Sequence, residues 1–312
     1  MKMNRPPHYL SLTPLVHWKR ESHPIEWEKK FERSRQLIVE IGFGLGDFLV
    51  RQALKHPEND FVGIEWGWVT TRRALRKIAI GGVGNVKVIN SDARIAFDRF
   101  FPEKSIDSIC SLFPSPWPKK RHEKHRLFSR DFLTILNSRL KERGEVLIVT
   151  DHEDYFDWIL SQISGTGFKA GPQIIPPRFE TKYERKWRRL GQQSFYELRL
   201  SKQAHCKRPI KEDTNLIAHD VKHFDPECFR PSNSRGDITV EFKEVLFDPK
   251  REKAMVRAMV GEGTLIQHFW IEVTKNIKGW HIRPAKGCDI VPTLGVQRAL
   301  DLAREGTNRS TW

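Results

Sequence analysis

Three glycines, Gly42, Gly44 and Gly46, stand in the run VEIGFGLGDF, between a short β-branched stretch and a segment of helical period. Glycine there tolerates φ > 0 and lets a ligand come close to the backbone, at the point where the first strand of a parallel sheet would end. The spacing G-x-G-x-G differs from the dinucleotide fingerprint G-x-G-x-x-G, and Glu40 points an acid into the turn, where a pyrophosphate would be repelled. A ligand bearing an amine or a sulfonium fits better. Glu65 follows 19 residues after Gly46, at the end of the next apolar run, where a carboxylate can accept from both ribose hydroxyls. Asp92, in NSDA after the third run, can accept from an adenine amine or a neighbouring backbone group. Each acid alone would serve as a helix cap. Three at successive strand ends, beside the glycine turn, point to a nucleoside.

A second chemistry-bearing stretch is FPSPWPKKRHEKHRLF. Pro114, Pro116 and Pro118 stiffen a loop that follows the fourth apolar run. Lys119, Lys120, Arg121, Lys124, Arg126 and Arg130 set six cations against Glu123, and His122 and His125 add donors. Beside a nucleoside pocket this pattern suits phosphate contacts more than a merely solvated face. A second cluster, RFETKYERKWRRL, interleaves Phe179, Tyr183 and Trp187 with six more cations. That mixture suits looped nucleic acid, whose phosphates meet the cations while bases stack on rings; Phe179 and Tyr183, spaced i and i+4, equally suit one packed helix face.

The glycine turn with its acids resembles the S-adenosylmethionine pocket of Rossmann-like methyltransferases. Over residues 25–200 the chain is similar to the TrmB family, bacterial tRNA (guanine-7-)methyltransferases that modify a guanosine of the variable loop. VEIGFGLGDFL is like the family's opening turn, FPSPWPKKRHEKHRL is close to its FPDPWPKKRHxKRRL, and TDHEDY and TKYE match its TD and T-x-F-E elements. The resemblance implies an α/β, Rossmann-like S-adenosylmethionine-dependent methyltransferase fold. It implies that Glu40, Gly42, Gly44, Gly46, Glu65 and Asp92 bind S-adenosyl-L-methionine. Lys119 and Asp151 would contact the target nucleotide, and Arg121, His122, Lys124, His125 and Arg126 would meet the tRNA backbone. Thr181 and Glu184 would close over the guanine and the methionine end of the cofactor.

One position departs from the family: Ser115 stands where it carries Asp. Guanine N7 presents an in-plane lone pair, so attack needs no base, but the product ring is positive and a nearby anion would stabilise the transition state. Asp151 and Glu184 are the carboxylates that could substitute. Two rival readings remain at this point: methylation of an exocyclic base amine, since SPW loosely resembles the (D/N/S)-P-P-(Y/F/W) loop, and a tRNA-binding protein of the same fold in which Ser115 has weakened or abolished catalysis.

The elements that must hold these residues follow from periodicity. Short apolar runs at 37–41, 61–65, 86–89, 106–113, 145–150 and 195–200 alternate with helical segments at 47–56, 68–80 and 129–144, the pattern of βαβ units and a parallel sheet. The first 36 residues, mixed and basic, are expected on the surface or ordered only on binding. The composition divides the chain into a first domain (1–203), a methyltransferase domain by the resemblance, a proline-rich polar linker (204–237) and a small, mainly β domain (238–312) with four period-two runs and a closing helix at 295–306. Its Lys, Arg and aromatic residues suggest a second tRNA contact or a stabilising appendage.

Net charge is +15 in 312 residues, with 38% hydrophobic residues, so the chain reads as a folded basic protein with a polyanionic partner. Cys110, Cys206, Cys228 and Cys288 lie far apart, which argues against a zinc site or a disulfide scaffold. No run approaches the roughly 18 apolar residues of a membrane span. Cytoplasmic location, no membrane and no metal are the expectations.

Overall fold

The computed structural model describes residues 10–307, which divide into two compact units: residues 10–18 with Pro24–Lys211, and Lys19–His23 with residues 212–307. In the first unit the chain runs α1 (Trp27–Phe31), β1 (Leu37–Ile41), α2 (Asp47–Lys55), β2 (Asp60–Glu65), α3 (Trp68–Gly81), β3 (Val86–Asn90), α4 (Ala93–Arg99), β4 (Ile106–Leu112), α5 (Arg130–Arg139), β5 (Leu140–Thr150), α6 (Glu153–Gln162), β6 (Phe168–Ile175), α7 (Lys182–Arg189) and β7 (Phe195–Lys202). The sheet order is β3-β2-β1-β4-β5-β7-β6. Its parallel strands are apolar: Val39, Val62, Val88 and Val146 are fully buried, as strands covered by helices require.

The parallel pattern stops at β5. β7 runs antiparallel to both β5 and β6, with Thr150 opposite Tyr196 and Ile175 opposite Phe195. That reversal has a functional consequence. Segment 176–194 is held at the same sheet edge as the carboxyl ends of the parallel strands. β6 escaped the periodicity because Gly171 and Pro172 interrupt it, which an edge strand tolerates.

Two expectations are corrected. The helix predicted over 129–144 ends at Arg139, and Leu140 begins β5. Arg139 is fully buried and donates to the carbonyls of Phe97 (2.9 Å) and Arg208 (2.8 Å), which fixes the chain where propensity alone would extend the helix. Residues 10–36 are not a loose surface segment. Val16, Trp18, Ile25, Trp27 and Phe31 are buried, and the indoles of Trp18 and Trp27 donate to the carbonyls of Asn90 (3.0 Å) and Phe100 (3.1 Å). Residues 1–9 of that segment lie outside the described residues.

The proline-rich stretch 204–237 is built into structure at both ends. Ala204 and Cys206 bond to Asn137 and Lys211 to Asp98 in the first unit. Phe224 and Phe229 enter the core of the second. That unit is an antiparallel sheet, β8 (His219–Val221), β12 (Gly279–Pro284), β11 (Leu265–Asn276), β10 (Lys253–Glu262) and β9 (Ile238–Asp248) in spatial order, with α8 (Leu294–Gly306) as the closing helix. α8 buries Val296, Ala299, Leu300 and Ala303 against Val256, Ala258 and Ile271 of the sheet.

Candidate active site

The turn from β1 to α2 has φ of 72° at Gly42, 54° at Gly44 and 75° at Gly46, a conformation that disfavours side chains at all three. Their surroundings then separate them. A Cβ at Gly42 or Gly44 would meet nothing within 4 Å, and both residues line a cleft. A Cβ at Gly46 would lie 2.9 Å from that of Ala74, so Gly46 serves the packing of α2 on α3 and does not line the cleft.

Glu40 forms the cleft's floor and is buried, with Oε2 lacking any hydrogen-bond partner. Burial drives its carboxyl up to about 8; Arg51 opposes that shift, while Glu65 and Asp47 add to it. Glu65 ties two turns together: its carboxylate accepts from the N–H of Gly44 and of Gly67, each at 3.1 Å. Asp92 caps α4 through one oxygen, accepting from the N–H of Arg94 at 2.7 Å, while its other oxygen lies 3.9 Å from the Arg94 guanidinium. Glu65 and Asp92 sit at the same sheet edge as Glu40 but outside the cleft lining.

The far wall of the cleft comes from Thr181, Lys182 and Tyr183. TKYE is a capping box. Thr181 Oγ1 accepts from the Glu184 N–H at 3.1 Å, and the Glu184 carboxylate turns back to accept from the backbone N–H groups of Arg178 (2.7 Å), Phe179 (3.0 Å) and Glu180. Glu184 is 1% exposed. This corrects the sequence expectation: a carboxylate committed to three backbone donors and sealed from solvent cannot reach a guanine edge. The i, i+4 aromatic pair also divides. Phe179 is buried against Phe48, ring centroids 5.9 Å apart, and Tyr183 is exposed.

Ser115 and Asp151 follow neighbouring strands: Leu112 of β4 pairs with Val149 of β5, and the Phe113 N–H donates to the Val149 carbonyl at 2.7 Å. Ser115 is exposed; Asp151 is half-buried, and burial raises its carboxyl above the usual range. Positive φ at Phe113 (58°), Trp117 (45°) and Glu180 (51°) concentrates backbone strain in the two loops beside the cleft.

Within the basic loop the residues part company. Lys119, Lys120, Arg121, Lys124 and His125 are exposed, and His122 is half-exposed. Trp117 and the two imidazoles form a triangle of rings, with centroids 5.8 Å (Trp117–His122), 5.1 Å (Trp117–His125) and 6.0 Å (His122–His125) apart. Arg126 does not belong with these surface cations: it is 7% exposed, donates from Nε to the Pro116 carbonyl at 3.1 Å, and lies over the rings of Trp158 (5.2 Å) and Tyr155 (5.6 Å). A guanidinium so enclosed anchors the loop and cannot meet a phosphate. The charge run concealed this, because cations alike in sequence differ only in where the fold turns them.

Sequence reasoning also passed over Trp66 and Arg73. Trp66 directly follows Glu65 and is 82% exposed, and Arg73 with Thr70 of α3 lines the cleft. Among the described residues no cluster of His, Cys, Asp or Glu could hold a metal ion, and no helix is long and apolar enough to cross a membrane.

Residues 34–197 match the family model described as "Putative methyltransferase". The chain is 44% identical over 169 residues to a tRNA (guanine-N(7)-)-methyltransferase of Chlorobium phaeobacteroides, spanning 54% of this chain and 83% of that one. It is 37% identical over 286 residues to the protein of the same name from Thermotoga maritima (89% and 91% of the two chains) and 32% identical over 286 residues to that from Deinococcus radiodurans (87% and 88%). Coverage of that extent takes the last two similarities well into the second unit.

Proposed function

The chain belongs to the TrmB family of tRNA (guanine-N7-)-methyltransferases, and from that premise we propose that it methylates N7 of a guanosine in the tRNA variable loop, with the cleft at the carboxyl edge of the sheet as its active site. The methyl donor is S-adenosyl-L-methionine. The observation that carries the assignment of the site is the cleft itself: two open glycines, an orphaned buried carboxyl and a bordering capping box, flanked by basic loops.

The residues fit that cofactor. The unpartnered Glu40 oxygen suits its cationic end, the bare backbone at Gly42 and Gly44 admits close approach, and the Glu65 carboxylate retains lone pairs for the ribose hydroxyls. Trp66, exposed beside Glu65, offers a face on which a purine stacks. Asp92 keeps one carboxylate oxygen beyond its capping bond for the adenine amine.

When bound, S-adenosyl-L-methionine supplies an electrophilic methyl group. Guanine N7 carries no proton, so the chain has to hold the base in line, keep water out and offset the positive charge that develops on the ring. Asp151 is the carboxylate that offsets this charge, since Glu184 is sequestered and Ser115 contributes only a dipole. Asp151 also suits the Watson–Crick edge of guanine, which presents two N–H donors. Glu184 and Thr181 act as positioning residues that shape the far wall. Lys119, Arg121, Lys124 and His125, with His122, take phosphates of the tRNA, and Arg126 holds their loop in place.

Purified protein incubated with unmodified tRNA and radiolabelled methyl donor, followed by nucleoside digestion and mass spectrometry, is expected to yield 7-methylguanosine mapped to the variable loop. An amine-methylated base, or no transfer across several tRNAs, would overturn the reading.

A further inference from the structure

Helix α3 carries four cations, Arg72, Arg73, Arg76 and Lys77, and no acid in its fourteen residues. Its inner face is apolar: Thr71, Ala74, Leu75 and Ile78 are buried. Lys77 is paired with Asp47 of α2. The outer face is different. Trp68 is 44% and Val69 58% exposed, and Arg72, Arg73 and Arg76 are exposed with no carboxylate of the described residues in ion-pair reach. Some exposed or half-exposed arginines of this unit do find acids, as Arg33 does with Asp60 and Arg199 with Glu197, whereas Arg121 of the basic loop and Arg188 and Arg189 of α7, like those of α3, find none among the described residues. Trp68, Arg72 and Arg76 recur every four residues and form one stripe.

The location adds a second argument. α3 starts three residues after Glu65, so its first turns stand at the sheet edge where the basic loops lie. Thr70 and Arg73 line the same cleft as Thr181, Lys182 and Tyr183. A third argument is charge. Residues 212–312 carry 15 Lys and Arg against 15 Asp and Glu, so the whole net charge of +15 falls on residues 1–211. With Lys19–His23 included, the second unit carries a net charge of only +1, so the pull on a polyanion comes from the first.

We infer that the outer face of α3, through Trp68, Val69, Arg72 and Arg76, is a further contact surface for the tRNA substrate, taking phosphates on the two arginines and an unpaired base on the Trp68 ring. The inference rests on the tRNA reading above. Unpaired arginines beside an exposed indole meet the demands of a looped nucleic acid, which offers phosphates and splayed bases together. A face tuned only for solubility would intersperse acids and would not expose tryptophan.

The experiment uses the full chain and an unmodified tRNA transcript, with binding followed by filter retention over a range of salt concentrations. The Arg72→Ala/Arg76→Ala double variant is expected to weaken tRNA binding about 10- to 100-fold and to lower the salt slope by about 1.5–2. Trp68→Ala should weaken binding about tenfold without changing the slope, and Trp68→Phe should restore most of it. Calorimetric affinity for S-adenosyl-L-methionine, unchanged in all three, reports that each variant is folded. Wild-type affinity and slope in the double variant would overturn the inference. So would a wild-type dimer that the variants convert to monomer with tRNA binding intact, since that gives the face to a second copy of the chain. Wild-type protein that binds tRNA but transfers no methyl group would refute the catalytic reading and leave this surface standing; a wild type that binds no tRNA would refute both.

Discussion

The guanidinium of Arg126 lies 5.2 Å over the ring of Trp158, and the indole Nε1–H of Trp158 donates at 2.9 Å to Glu123 in the basic loop. Loop and helix α6 are thereby locked to each other, and the Pro116 carbonyl is fixed by Arg126 Nε. Removing the planar, five-donor group leaves a half-buried carbonyl and two ring faces without a partner. Arg126→Ala is therefore expected to cost about 2–3 kcal/mol of stability, and Arg126→Lys nearly as much, because a point charge reproduces neither the stacking nor the fork. Arg121→Ala should leave the melting temperature within about a degree and weaken only tRNA binding. Thermal denaturation beside salt-dependent binding separates the two; equal stability of Arg126→Ala and wild type would show that the arginine is a surface ligand after all.

Glu184 makes a sharper case. One oxygen of its carboxylate accepts from the N–H of Arg178 and Phe179 and the other from that of Glu180, so Glu184→Gln keeps two of the three bonds, weakened by loss of charge, and sets an amide N–H₂ against the third donor. The isosteric variant should then lose about 1–3 kcal/mol, and Glu184→Ala, which strips all three donors, about 2–4 kcal/mol. Because Thr181, Lys182 and Tyr183 line the cleft, cofactor affinity should fall in parallel. A Gln variant with normal stability and lost turnover would instead assign Glu184 to the substrate.

These two residues also mark where sequence reasoning succeeds and fails. The glycine turn was legible because positive φ is written in residue type, and so was the succession of parallel strands along the chain through β5, whose apolar content follows from burial on both faces. Thr181 and Glu184 were legible as a pair only through the family's T-x-F-E element; T-x-x-E also suits a capping box, and the spacing does not say whether the acid turns outward to a ligand or back to its own backbone. Arg126 was indistinguishable from Arg121: five residues separate them, and only tertiary packing buries one. The α3 surface stayed hidden because its cations are scattered through a helical period and form no run, and residue type alone does not say which way the helix turns Trp68. Residues 10–36 read as loose because charge outnumbers the few tryptophans and aliphatics that pin them, although those few decide the burial.

The Ser115 position tests how the developing charge is met. With Glu184 sequestered, Asp151→Asn should lower kcat by about 100-fold or more while tRNA affinity changes only a few-fold. Ser115→Asp should raise kcat by about 30-fold, a gain equivalent to about 2 kcal/mol of transition-state stabilisation. Single-turnover methylation at saturating tRNA measures both. If Asp151→Asn is silent and Ser115→Asp is no faster, the charge is met by neither position.

Glu40 should make the stability of the cofactor-free protein depend on pH in a predictable direction. Burial holds its carboxyl at about 8 against an ordinary value of 4.5. Between those values the folded chain keeps a proton that the unfolded chain has lost, so the native state binds more protons and stability falls as pH rises through that window. Above it both states are ionised and the penalty is constant, on the order of 3–5 kcal/mol at about 1.4 kcal/mol per unit. Glu40→Gln has no proton to lose. Its stability advantage over wild type should be absent near pH 4, widen steadily and level off just above pH 8, as read by chemical denaturation at a series of pH values. A positively charged ligand reverses the preference by favouring the ionised carboxylate. Binding of S-adenosyl-L-methionine near pH 7 should thus release a proton, detected by calorimetry in buffers of different ionisation enthalpy, and S-adenosylhomocysteine, which lacks the sulfonium charge, should release less. Equal proton release for the two ligands would show that Glu40 does not sense the sulfonium, and a gap between variant and wild type that fails to widen with pH would show that the carboxyl is ionised throughout.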